Sequence, residues 1–224
     1  MAHLSLSTDS ISTLTSEVSD EEMFREHRSD SFGTSMSEEE HDQFQHDAST
    51  SVYESLREGV SADVVQLELV SLRMSANASD HQVRRAIATA FMRRVQALME
   101  SGKGAGEAVR DVFTNYKVVV ERGLFDKNKD EKNDQVDLLL QIQQDLIHRA
   151  KGETILLFTA KQLYDLDVIE EEAFEAWWED ERSKRTEELR RVRSQTQQFI
   201  EWLATAEEED SEEEEEDSEE EESE

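Results

Sequence analysis

Cysteine and proline are both missing from this chain. Without cysteine there are no disulfides and no thiolate metal sites, which fits an intracellular, cytoplasmic setting. At average usage about 11 prolines would be expected. Their absence, with only 7 glycines, leaves almost nothing to break a helix. No apolar run approaches the ~20 residues of a membrane span, and the start lacks a basic-then-apolar signal pattern, so no membrane contact is expected. Bases are scarce as well, 24 against 55 acids. Direct nucleic-acid binding is therefore disfavoured, since phosphate would be repelled and no basic stripe compensates.

The acid excess is concentrated at two places. Residues 1–50 hold 12 acids and 2 bases, and residues 207–224 are 15 carboxylates and 3 serines with nothing else. The stretch between them has an ordinary balance. Residues 1–41 are rich in Ser, Thr, Asp and Glu and keep no period of 2 or 3.6, so they read as a disordered acidic linker. Residues 42–206 read as one folded domain, long enough for a real core. Residues 207–224 cannot bury enough apolar surface to offset chain entropy and read as a disordered Glu/Asp tail that presents a negative field to a basic partner. Ser19, Ser37, Ser211 and Ser218 stand before acids, where acid-directed kinases would add charge, or they are simply solubilising.

The domain reads as all-α, with about eight helices. Phe44, Ala48, Val52, Ser55 and Leu56 form the stripe of a first helix over 42–57, with Gly59 ending it at the position glycine fills best. Ser61 caps a second, 62–74. Ser79-Asp-His-Gln82 is a capping box opening a third through Ile87, Phe91, Val95 and Leu98. A fourth follows Gly106 through Val109, Val112, Phe113, Tyr116 and Val120. After a polar loop at 126–133 come helices over 136–150, 154–164 and 171–178. The eighth spans 183–206, with Leu189, Val192, Thr196, Phe199 and Leu203 on one face. Short connections favour antiparallel neighbours stacked in pairs, an α-solenoid of about four HEAT-like helix pairs.

Two groups of residues carry chemistry. Glu68 and Ser75 are seven apart and share a side of the second helix, an otherwise apolar element. The bland alternative makes Glu68 a solvent-facing or Arg73-paired residue. Trp177, Trp178 and Trp202 stand among Glu175, Glu179, Asp180, Glu201 and the tail residues Glu207, Glu208 and Glu209. Adjacent tryptophans on a helix point about 100° apart, so one of Trp177 and Trp178 is expected at the surface. Aromatics ringed by carboxylates suit a lysine-rich ligand, with methylene stems on the rings and ammonium groups on the acids; otherwise they lock the terminal helices together. The histidines have no metal-ligand spacing and no phosphate loop is present, so neither a metal, a cofactor nor covalent catalysis is expected.

Leu67-Glu-Leu-Val-Ser-Leu-Arg-Met-Ser-Ala-Asn77, preceded by Val52-Tyr-Glu-Ser-Leu-Arg-Glu58, resembles the C-terminal domain of the epsilon subunit of eukaryotic translation initiation factor 2B. Two aromatic-acidic boxes, from Leu163 to Trp178 and from Phe199 to Glu209, are shared more widely with initiation factor 5 and initiation factor 4G. The resemblance implies a HEAT-type W2 fold and guanine-nucleotide exchange without covalent chemistry. Glu68 would be the prime catalytic position, with Ser75 beside it, and Trp202 the functional aromatic of the second box. The partner would be translation initiation factor 2. Its gamma-subunit GTPase would be acted on while the boxes bind the lysine-rich segment of its beta subunit. The fragment would be monomeric, its parent subunit part of a multi-subunit complex. An initiation-factor-5-like adaptor that binds without exchanging is the alternative, and an acidic histone-chaperone-like protein is a third reading.

Overall fold

A computed structural model of the chain describes residues 38–124 and 131–205, and they are helical almost throughout. The elements are α1 (Glu38–Glu58), α2 (Ala62–Ala76), α3 (Asp80–Glu100), α4 (Ala105–Asn115), α5 (Lys117–Leu124), α6 (Glu131–Leu146), α7 (Gly152–Asp165), α8 (Glu171–Glu179), α9 (Glu181–Lys184) and α10 (Glu187–Arg193). A 3₁₀ turn over Ser194–Thr196 leads into α11, residues 197–205. The expected linker over 1–37 and the Glu/Asp tail lie outside the described residues. Residues 38–41, assigned to the linker, instead belong to α1.

Helices α1, α3, α6 and α8 lie side by side in chain order and make one layer. The second layer holds α2 against α5, α4 against α7, and α7 against α10 and the 3₁₀ turn. Cross-layer packing of α1 on α2, α3 on α4 and α5, and α6 on α7 gives the antiparallel pairs of a HEAT-like solenoid. The expected stripes are the buried ones: Phe44, Ala48, Val52 and Leu56 on α1, and Leu189, Val192, Thr196, Phe199 and Leu203 towards the other end. Phe91 of α3 meets Phe113 of α4 edge-on, with ring centroids 5.3 Å apart. Each such fully buried side chain contributes roughly 1.5–3 kcal/mol.

Helix ends follow local chemistry. Gly59 sits just beyond α1 at φ 72°, where a side chain would strain the backbone. The capping box is present: Ser79 accepts from the Gln82 amide, and its own amide donates to the Gln82 side chain at 2.8 Å. Ser61 occupies the N-cap of α2 but makes no side-chain bond there. Gly152 lets α7 begin against the end of α6, because a Cβ there would lie 2.4 Å from the Leu146 carbonyl oxygen.

Two expected long helices are broken. The fourth is interrupted at Tyr116, whose φ of −120° leaves the helical region. Its ring drops beside Phe91, and its hydroxyl donates to the Val60 carbonyl at 2.9 Å. A tertiary contact thus overrides helix continuity, and burial pushes the phenol pKa up. The eighth divides into α9, α10, the 3₁₀ turn and α11. Asp180 and Thr186 each take a backbone amide as N-caps, from Arg182 and Leu189, which restarts the helix twice. The loop expected over 126–133 is also shorter at its end, since α6 already includes residues 131–133.

Candidate functional site

Two places gather the residues singled out by sequence. The first lies where α1 meets α2. Glu68 turns inward rather than to solvent, and its carboxylate accepts hydrogen bonds from Ser51 and Ser55 of α1, the latter at 3.2 Å. Arg73, its alternative partner, pairs instead with Asp80 at 2.5 Å. Ser51 and Ser55 are four apart, so one face of α1 presents both hydroxyls to the same carboxylate. Ser75 is exposed and donates to the carbonyl of Leu72 on its own helix, so it takes no part in this network.

Around Glu68 the outer face of α2 carries a row of exposed apolar side chains, with the exposed Asp63 and Ser71 among them. Leu67 and Met74 are 71% and 76% exposed, with Val64 and Val70 beside them along the helix. Exposed large apolar groups aligned on one helix are a recognised mark of an interaction surface. Glu68 is held at its edge, on the same side of the helix as the exposed Ser75.

The second place is the C-terminal aromatic cluster. Trp202 is 51% exposed and stacks on Phe199, the centroids 6.0 Å apart at 23°. Tyr164 of α7 meets Trp202 edge-on at 5.8 Å and Phe199 at 5.9 Å, while Phe174 of α8 closes the base against Phe199 at 5.4 Å. A groove of about 450 Å³ runs beside them, lined by Leu157, Lys161, Tyr164, Asp165 and Trp202 among others. Glu201, next to Trp202, accepts from Gln197 at 2.8 Å and remains at the surface.

The two adjacent tryptophans part company as their 100° offset requires. Trp177 is fully buried and donates its indole N–H to Gln143 at 3.0 Å, so it supports the surface from beneath instead of forming it. Trp178 is partly buried, with the Arg193 guanidinium 3.8 Å above its ring. Burial holds the Arg193 pKa below its ordinary value.

The nearby acids are partly engaged within the chain. Asp180 caps α9 and pairs with Arg182 at 2.6 Å, whose hydrogen bond holds its carboxyl below the usual range. Glu179 lies 3.8 Å from Lys184, and Glu175 is half-buried. Glu207, Glu208 and Glu209 fall outside the described residues. Glu68 and Trp202 sit on different elements, α2 and α11. Ser51 and Ser55 join the first site beyond the residues expected from sequence, and Tyr164, which lies within the first aromatic-acidic box, joins the second.

An aromatic, acid-flanked cluster at the end of a HEAT-like helix stack defines a class. Residues 134–213 match the model of the W2 family, described as eIF4-gamma/eIF5/eIF2-epsilon. Over 212 residues it is 34% identical to the translation initiation factor eIF2B subunit epsilon of Schizosaccharomyces pombe, a match that covers 92% of this chain and 29% of that protein. The chain therefore spans under a third of the length of the curated relative it matches. Among the described residues no helix is long and apolar enough to cross a membrane.

Proposed function

We propose that this chain works in translation initiation as a guanine-nucleotide exchange domain of the eIF2B-epsilon kind. It promotes GDP release from the gamma subunit of translation initiation factor 2 and holds the lysine-rich segment of the beta subunit. The observation that carries the reading is Glu68, a carboxylate held by two serines at the border of an exposed apolar helix face. The apolar face supplies area for docking on the GTPase. The carboxylate competes with phosphate for a basic group or disturbs the Mg²⁺ shell, so the nucleotide-free GTPase is bound more tightly than the GDP form. Similarity to the epsilon subunit over most of the chain supports this, since that match takes in both halves.

The C-terminal cluster supplies the second contact. Lysine methylenes lie along Trp202 and Tyr164, with ammonium groups against Asp165, Glu201 and the acids that follow. The family match itself covers only residues 134–213, which favours the adaptor as the second reading: binding of the lysine-rich segment without exchange. Release of a fluorescent GDP analogue from initiation factor 2 separates the two. Faster release with the full chain, lost in Glu68→Gln, supports exchange; binding with unchanged release leaves the adaptor.

A further inference from the structure

In an acidic chain, the structure gathers an unexpected set of bases. A polar groove of about 570 Å³ lies between α3 and α6, lined by Arg85, Gln96, Gln141, Gln144, His148 and Arg149 among others. Asp145 also lines it, but its carboxylate is bound by Arg149. Arg85 is exposed and has no ion-pair partner among the described residues, and the same holds for Lys151 just past the groove. Arg191 of α10 reaches the rim, its guanidinium 3.5 Å from the carbonyl of the groove residue Ile147. The stretch 182–193 that supplies it holds six bases and two acids. Three separate segments thus set their cations around one depression.

We propose that this basic-rimmed groove seats the acidic tail of the same chain, residues 207–224. Charge and reach both select that occupant. The tail carries 15 carboxylates and no base, the strongest complement to the rim anywhere in the chain. From Arg191 to the end of α11 is 14 residues of nearly continuous helix, about 21 Å at 1.5 Å per residue. An extended 18-residue segment spans about 60 Å. It covers the return with roughly a third of its length and leaves the remainder to lie along Arg85, Lys151 and Arg191, Arg149 being already paired with Asp145. Tethering sets an effective concentration on the order of millimolar, so even weak pairing is occupied. A seated tail is withheld from other basic ligands until one displaces it. That regulatory consequence rests on the function proposed above; the contact itself does not.

The test uses the sign of a salt dependence. Because the chain has no cysteine, Ala150→Cys and Ser223→Cys place a donor and an acceptor dye beside the groove and in the tail of the full chain. A tail merely repelled by an acidic domain extends at low salt and approaches as salt screens it, so energy transfer rises with salt. A seated tail gives the opposite: high transfer at about 20 mM salt, falling several-fold by about 0.5 M. Adding Arg85→Glu with Arg191→Glu should remove the low-salt signal. The charge-matched pair Arg110→Glu with Lys132→Glu, away from the groove, should preserve it. Transfer that rises with salt, or that both pairs reduce equally, overturns the proposal. So does capture of an RNA oligonucleotide by a chain whose low-salt transfer is low, which would assign the groove to nucleic acid. Thermal melts of each variant confirm that it is folded, and the exchange assay does not enter the readout.

Discussion

Trp177 on α8 and Gln143 on α6 are joined side chain to side chain, the indole N–H donating to Oε1 at 3.0 Å, and both are fully buried. The Gln143 amide nitrogen donates onward to the carbonyls of Ser183 and Leu189 at 2.7 and 2.9 Å. One glutamine therefore satisfies three groups from α8 to α10. Without it the broken helical segments at this end would bury unpaired backbone.

Gln143→Leu keeps the volume and removes every one of those bonds. Each orphaned buried group costs about 1–3 kcal/mol, so the substitution should lower stability by roughly 3 kcal/mol or more. Trp177→Phe, which removes only one donor and some packing, should cost less. Urea unfolding checks this through a lower midpoint at nearly unchanged slope.

Acid should weaken the α3–α6 seam. Arg84, 5% exposed, bonds Asp137 at 2.6 Å and Asp134 at 3.0 Å, and His81 adds a contact to Asp137 at 2.9 Å. Burial pushes the Asp137 carboxyl up, but the bonds from His81 and Arg84 together outweigh it and leave the pKa below the ordinary value. A carboxyl lowered by folding contributes stability that is present above its unfolded pKa, about 3.9, and is lost as pH falls through the lower folded value. Stability should accordingly drop below about pH 4. Urea midpoints measured from pH 6 to pH 2.5 should fall less steeply in Asp137→Asn, which starts from a lower plateau.

Ser51 and Ser55 are positioning residues for Glu68. Ser51→Ala with Ser55→Ala leaves the carboxylate in place chemically but frees its rotamers. On the proposed function, exchange should slow by about 5–30-fold, the rate equivalent of 1–2 kcal/mol from two lost hydrogen bonds. The thermal midpoint should shift little. A merely structural pair would alter the melt and leave exchange per folded molecule unchanged.

Trp202→Ala removes a half-exposed ring from the Tyr164–Phe199 stack. Binding of a lysine-rich peptide should weaken by about tenfold or more, as for an aromatic anchor, with only a modest loss of stability. Trp178→Ala, whose ring lies under Arg193, should show the reverse balance. Titrations at two salt concentrations compare them.

Much of the solenoid was legible because it is local. The absence of proline, the 3.6-residue stripes and the Ser79–Gln82 box need only neighbours in sequence, and the buried rows on α1 and α11 match them. The breaks at Tyr116 and Thr186 were not legible. A hydroxyl bound to Val60 is a contact across 56 residues, and Thr186 is a weak cap until Leu189 is buried.

The sequence by itself determined the class of protein: helix after helix between acid-rich flanks, with aromatic and acidic boxes at one end, because composition and periodicity act over a few residues. Only the tertiary structure decided which tryptophan is core and which is surface, since that depends on where Gln143 and Arg193 arrive. It also turned Glu68 towards two serines, and drew Arg85, Lys151 and Arg191 from three segments around one groove. Hydrogen bonds and charge act through space, and their partners here lie 13 to 46 residues apart or on different helices.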